Sequence, residues 1–189
     1  MSAAGCKVRP MDRGVEAWRA TRRQIEQRLC LVMVGAGLLG LTIICPPAPR
    51  LVWNASASVP VGLYLIHPGA PPIKQGFILA ALPEPWRGFA ARRQYLSENV
   101  PLLKRVAAIH GDLVCAFGPI ITIDGAMVAR RLRKDARGRM LPWWEGCHHL
   151  RGGELFLLAR DQTGSFDGRY FGVTHRNTLI GTAQLLWSK

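Results

Sequence analysis

Seventeen uncharged residues in a row, Leu29–Cys45, set the first limit on what this chain can become. A run of that length is at the short end of what crosses roughly 30 Å of hydrocarbon as a helix. Its glycines, Gly35, Gly37 and Gly40, would weaken a helix in water but are ordinary in a membrane. Six arginines lie in the twenty residues before the run, and only Arg50 lies in the twenty after it. The positive-inside rule then puts the N-terminus in the cytoplasm and everything past Pro46 outside. Two other readings compete. A buried core helix fits the six arginines and the Pro46-Pro47-Ala48-Pro49 exit poorly. A cleaved signal peptide would use Ala55-Ser56-Ala57 as a small-x-small site, but a basic lead of 28 residues is long for one, and the cut would strand Ser58 at a new terminus. The expected organisation is a basic cytoplasmic segment over 1–28, a transmembrane helix over 29–45 and an extracytoplasmic domain over 46–189.

Charge and cysteines follow that division. The chain carries 25 Lys and Arg against 12 Asp and Glu, a formal +13. The excess is spread out: +4 over residues 1–28, Arg50, and +8 over 51–189. A nucleic-acid module more often concentrates such charge on one element, so no nucleic-acid partner is expected; a membrane surface or an acidic partner suits the balance better. Of the five cysteines, Cys6 falls inside, Cys30 and Cys45 in or at the end of the span, and Cys115 and Cys147 outside. The odd total thus leaves one pair in an oxidising compartment, a Cys115–Cys147 disulfide, with two unpaired buried thiols as the alternative.

Residues 14–28 read as a basic helix on the inner membrane face, and beyond the span the pattern is mainly β. Short apolar strands are expected over 61–66, 76–82, 102–109, 113–117, 155–159 and 179–186. Residues 120–123 and 127–130 flank Asp124-Gly125, the two-residue signal for a type I′ hairpin. Residues 83–98 hold Trp86, Phe89, Tyr95 and Leu96 among charges, and their later half is expected to form a helix over the site. The stretch from Arg130 to Arg139 has six basic residues with only Asp135 opposing, and reads as an exposed, solvated hairpin tip or a contact with lipid headgroups. Pro142-Trp143-Trp144 suits either the membrane interface or core packing beside the disulfide.

The chemistry centres on Asn54–Tyr64, which offers the hydroxyls of Ser56 and Ser58 ahead of a stiffening Pro60 and a Gly62 expected to let the chain turn. Ser58 is thirteen residues from Cys45, about 45 Å at full extension, so it is tethered near the outer membrane surface. A serine is a poor nucleophile until a base removes its proton. The best candidate is Lys104, whose same-face strand neighbours, Leu102, Val106 and Ala108, are apolar, while Arg105 points to the other face where water or an acid could meet it. A lysine serves as base only when neutral, which requires its pKa to fall roughly three units, about 4 kcal/mol of ammonium destabilisation that burial can supply. The bland alternative is an edge lysine with a buried stem and a wet amine. The five histidines, His67, His110, His148, His149 and His175, form no Ser/His/Asp motif with Ser58. Cys147-His148-His149 lacks a second ligand cluster, so no metal is expected, and no phosphate-binding glycine loop or other cofactor motif is present.

Taken together, Ser-Ala-Ser-Val-Pro at 56–60, Leu-Lys-Arg-Val-Ala-Ala-Ile-His-Gly-Asp at 103–112 and Ser-Phe-Asp-Gly-Arg-Tyr-Phe-Gly at 165–172 resemble the type I signal peptidases in order and rough spacing. The form Asn-x-Ser-x-Ser-x-Pro-x-Gly-Leu-Tyr, the Trp-x-Gly-Cys at 144–147 and the closing Ser-Phe-Asp-Gly-Arg-Tyr are more similar to the conjugative-transfer branch, the TraF-type pilin peptidases. The resemblance implies a signal-peptidase-like β domain in a bacterial inner-membrane protein, with Ser58 as nucleophile and Lys104 as general base. It further implies that Ser56 helps the Ser58 N–H form an oxyanion hole, that Ser165 orients the lysine, and that Asp167 and Arg169 brace the site. A membrane-bound pilin precursor would be the substrate, with other conjugation-apparatus proteins as partners. Two departures stand out: Val59 where signal peptidases usually have methionine, and His110 where proline commonly precedes Gly111-Asp112. Neither touches the Ser/Lys chemistry, but both weaken the expectation of ordinary secretory precursors. A general signal peptidase, a self-cleaving Ser/Lys regulator and a non-catalytic assembly subunit are the competing classes.

Overall fold

The computed structural model describes residues 12–44, 50–160 and 162–189. The expectations for Cys6, Cys45 and the proline exit at 46–49 lie outside them. The chain divides into two compact units, Met1–Pro47 and Ala48–Lys189. In the first, a single helix α1 (Asp12–Ile44) runs through both the basic segment and most of the apolar run. Its stretch Arg22–Leu41 is long and apolar enough to cross a membrane, with mean hydropathy 1.2. Leu31 and Met33 are each 72 % exposed there, which is costly in water and favourable in lipid.

The second unit is mainly β. Its strands are β1 (Leu51–Asn54), β2 (Gly62–His67), β3 (Phe77–Ala80), β4 (Leu102–Ala108), β5 (Leu113–Phe117), β6 (Ile120–Ile123), β7 (Ala126–Arg130), β8 (Gly146–His149), β9 (Glu154–Leu158), β10 (Thr174–His175) and β11 (Leu179–Ser188). Two short helices, α2 (Trp86–Arg92) and α3 (Gly168–Phe171), interrupt them. Seven strands form one sheet in the order β1-β2-β11-β3-β4-β9-β10, and four form another in the order β7-β6-β5-β8. All the pairings are antiparallel.

Sequence pattern explains the burial of β2, β4 and β9 in the large sheet. β2 alternates between buried and half-buried residues, as a strand with one covered face does. In β4 every residue except Arg105 is buried, and β9 is buried from Leu155 onward, because both are central and covered on both sides. One core cluster joins Ala108, Val114, Ile121, Leu150 and Phe156 where the small sheet packs on the large one. A second gathers Ile78, Leu102, Val106 and Leu157 under α2, and a third joins Val59, Tyr64, Leu79 and Leu103 beneath the serine segment.

The expected hairpin is present: Asp124 and Gly125 both have positive φ, 51° and 79°, and Ile123 pairs with Ala126 across them. Cys115 and Cys147 face each other across β5 and β8 and are joined by a disulfide, with Cα atoms 4.0 Å apart.

Several expectations are corrected. Gly62 does not turn the chain; it begins β2, where a Cβ would stand 2.0 Å from the Trp187 carbonyl oxygen of β11, so its smallness serves close strand approach. The helix in the 83–98 segment is Trp86–Arg92, earlier than expected; Trp86, Phe89 and Ala90 on it, and Tyr95 and Leu96 after it, all reach the core or the aromatic cluster around Phe166. Arg131 is not in a solvated tip: it is buried, with Nε on the Gly118 carbonyl at 2.6 Å, Nη1 on the Trp144 carbonyl at 2.6 Å and Nη2 on Glu145 at 2.7 Å. Trp144 takes the core alternative, packing edge-on against Phe156 and donating its indole N–H to the Gly168 carbonyl.

Candidate active site

A cavity of about 910 Å³ opens between the serine segment, β4, the stretch 95–101 that follows α2 and the loops around 132–141 and 162–166. Ser56, Ser58, Lys104 and Ser165 all line it, so residues up to 109 positions apart in sequence meet in one space. No histidine lines it.

The serine segment owes its shape to Asn54, the last residue of β1, which is buried. Its Oδ1 accepts from the Ser56 N–H at 3.1 Å, an Asx-type turn, and from the Ser56 hydroxyl at 3.0 Å. Its Nδ2 donates to the carbonyls of Ser56 (2.7 Å), Val59 (3.2 Å) and Pro60 (3.1 Å). One amide thus gathers the whole loop, and the Tyr64 hydroxyl adds a bond to the Pro60 carbonyl at 2.7 Å. Ser58 Oγ lies 2.9 Å from Ser56 Oγ and donates to the Leu103 carbonyl at 3.5 Å. Sequence reading assigned Asn54 no role, although Asn two residues before a serine is a known turn signal.

Lys104 sits on β4 opposite Ile78 and is only 7 % exposed. Its Nζ donates to Ser165 Oγ at 2.7 Å. The Ser58 hydroxyl is engaged by Ser56 and by the carbonyl of the residue before Lys104, not by the amine itself. Burial lowers the Lys104 pKa from 10.5 to about 8, with Asp167 pulling it up and Arg169 pushing it down.

Behind Ser165, Asp167 and Arg169 are fully buried and paired two-fold: Nε to Oδ1 at 2.8 Å and Nη2 to Oδ2 at 3.1 Å. Asp167 also accepts from the Ala159 N–H at 2.9 Å. Arg169 donates to the carbonyls of Ala159 (2.7 Å), Arg130 (3.1 Å) and Thr163 (3.3 Å). A buried ion pair is tolerable only when its remaining donors and acceptors are met in this way. The pair does not line the cavity; it holds both ends of the loop that carries Ser165.

The far wall joins the 83–98 segment, expected over the site, to the basic loop, which was not expected there. Asp135 accepts from the Tyr95 hydroxyl at 2.5 Å, from Arg139 Nε at 2.7 Å and from the N–H groups of Arg137 and Arg139 at 2.9 Å each. Desolvation opposes its ionisation, but these donors, Tyr95 first, hold its pKa well below the usual carboxylate range. Arg93 Nη1 reaches the Met140 carbonyl and Arg139 Nη2 the Arg93 carbonyl. The 83–98 segment and the basic loop are therefore laced into one wall.

The family model for signal peptidase, peptidase S26, matches residues 23–188. Two curated relatives are both plasmid transfer proteins TraF from Escherichia coli. One is 29 % identical over 67 % of this chain and 77 % of its own length, the other 28 % identical over 82 % and 93 %. A signal peptidase I from Enterococcus faecalis aligns in structure with 16 % identity and a TM-score of 0.35, covering 60 % of this chain and 97 % of that one. A family match running from helix α1 almost to the last residue takes in every element of the cavity: this chain belongs to the signal peptidase family, peptidase S26.

Proposed function

We propose that this chain is a membrane-anchored serine peptidase that processes a conjugative pilin precursor through a Ser58 acyl-enzyme. The observation that carries the reading is the buried Lys104 amine, its pKa lowered to about 8, held by Ser165 in the cavity where Ser58 opens. The similarity to plasmid transfer proteins supports the conjugative setting. Six arginines ahead of the apolar run, and the disulfide beyond it, support an inner-membrane anchor with the β unit in the oxidising periplasm.

The reaction begins as the Ser58 hydroxyl turns from the Leu103 carbonyl to neutral Lys104. Catalytic hydrogen bonds often tighten only when substrate is bound. Ser58 Oγ attacks the scissile carbonyl, its proton passes to Lys104 Nζ, and the developing oxyanion is met by the Ser58 N–H and the Ser56 hydroxyl. Lys104 then gives that proton to the leaving amine as the C–N bond breaks. A second nucleophile, water or an amino group of the precursor itself, loses a proton to Lys104 as it attacks the ester. Lys104 returns the proton to Ser58 Oγ, releasing an acid in one case and a cyclic peptide in the other.

Ser58→Ala and Lys104→Ala, made separately in the full chain and tested in membranes holding the pilin precursor, should each abolish processing. Normal processing by either variant refutes the reading and leaves a non-catalytic assembly subunit. Mass spectrometry of the product separates the outcomes, since the cyclic form is lighter by one water. Rescue of secretion in cells depleted of their own signal peptidase would instead favour a general signal peptidase.

A further inference from the structure

Ser58 stands between two cavities of opposite character. The larger holds Ser56 and Lys104 and is lined chiefly by apolar side chains such as Leu79, Leu102 and Phe166. The smaller, about 320 Å³, shares only Ala57 and Ser58 with it. There the chain from Val59 to Val61 forms one side, and Arg105 and Arg160 are the only charged residues. Arg105 is fixed: its Nη1 donates to the Gln75 carbonyl at 2.9 Å and its guanidinium lies 4.6 Å from the centre of the Phe77 ring. Arg160 is exposed just after β9. Among the described residues neither guanidinium meets a carboxylate.

A peptide whose scissile bond rests on Ser58 Oγ must continue on both sides of it. Ser56, which meets the oxyanion, borders only the apolar cavity, so the acyl half of the substrate lies there and the leaving half runs toward the arginines. We propose that the smaller cavity is a leaving-side subsite that binds a carboxylate through Arg105 and Arg160. This rests on the peptidase reading given above. Guanidinium groups match carboxylates in shape as well as charge. The carboxylate falls within about three residues of the cut, roughly 10 Å of extended chain. An Asp or Glu side chain and a free chain end supply the same chemistry.

The test uses the full chain in detergent micelles and two synthetic peptide libraries, one with free C-terminal acids and one amidated, with cut sites read by mass spectrometry. The wild-type protein should favour bonds followed by a carboxylate by about fivefold over bonds followed by neutral residues, and high salt should erode that ratio. Enrichment in both libraries identifies an acidic side chain, and enrichment in the free-acid library alone identifies the chain end; both support the subsite. Arg105→Gln and Arg160→Gln should each lower the ratio within the same digest, and Arg160→Glu should shift it toward Lys and Arg. Arg160 is exposed, so its variants test the subsite even where Arg105→Gln disturbs folding. Ser58-dependent cleavage whose ratio is near one, or is unmoved by the Arg160 variants, overturns the subsite and leaves the peptidase standing. Absence of any Ser58-dependent cleavage overturns both.

Discussion

The Lys104 amine has lost most of its contact with water, and that loss has two measurable consequences. Below about pH 8 it is an ammonium in an apolar setting, and only above that is it the free base the proposed reaction needs. The kcat/KM should rise about tenfold per pH unit up to roughly pH 8 and then level off; a profile flat from pH 6 to 9 would remove Lys104 from the mechanism. Because the folded pKa is depressed, the native chain binds fewer protons than the unfolded one between pH 8 and 10.5, so stability should rise with pH across that window. Lys104→Met should therefore be inactive yet more stable at neutral pH, by up to about 3 kcal/mol, a gain that fades by pH 10.5 and can be followed by denaturant unfolding. Asn54 predicts the reverse pattern. Asn54→Ala leaves carbonyls of the serine segment without donors and should cost about 1–3 kcal/mol together with most of the activity. The burial of Lys104 was legible in its apolar strand neighbours, Leu102, Val106 and Ala108. The role of Asn54 was not, because all but one of its partners are backbone groups, which side-chain spacing does not reveal.

At the level of single elements, the strands that read clearly were those whose burial repeats with period two or is continuous, such as β2, β4 and β9. β8 was missed because Gly146–His149 has no apolar alternation; it is a strand because Cys147 faces Cys115. β10 is two residues long and exists only as a partner of β9. The loop carrying Ser165 depends on the Asp167–Arg169 pair rather than on its own propensity. Arg169→Met should leave Asp167 buried and uncompensated, costing about 3–5 kcal/mol in urea unfolding. Tyr95→Phe is gentler: it removes one donor to Asp135 and should raise KM through a looser wall while leaving kcat nearly intact.

For the molecule as a whole, the division of labour between the two sheets matters most. The larger sheet supplies Lys104, and β1, at its edge, leads into the Ser58 segment, while the four-stranded sheet carries the disulfide, which closes a separation of 32 residues and is worth about 3–4 kcal/mol. The basic loop that forms the far wall leaves β7 and returns at β8, so both of its roots are in the cross-linked sheet. Thiol reductants should accordingly loosen the jaw before they touch the teeth: a chain exposed to them would still cut, but would let go of its peptide more readily, with KM climbing well ahead of any fall in kcat. On the proposed reading the redox state of one cystine governs grip, and the proposed proton chemistry proceeds without it.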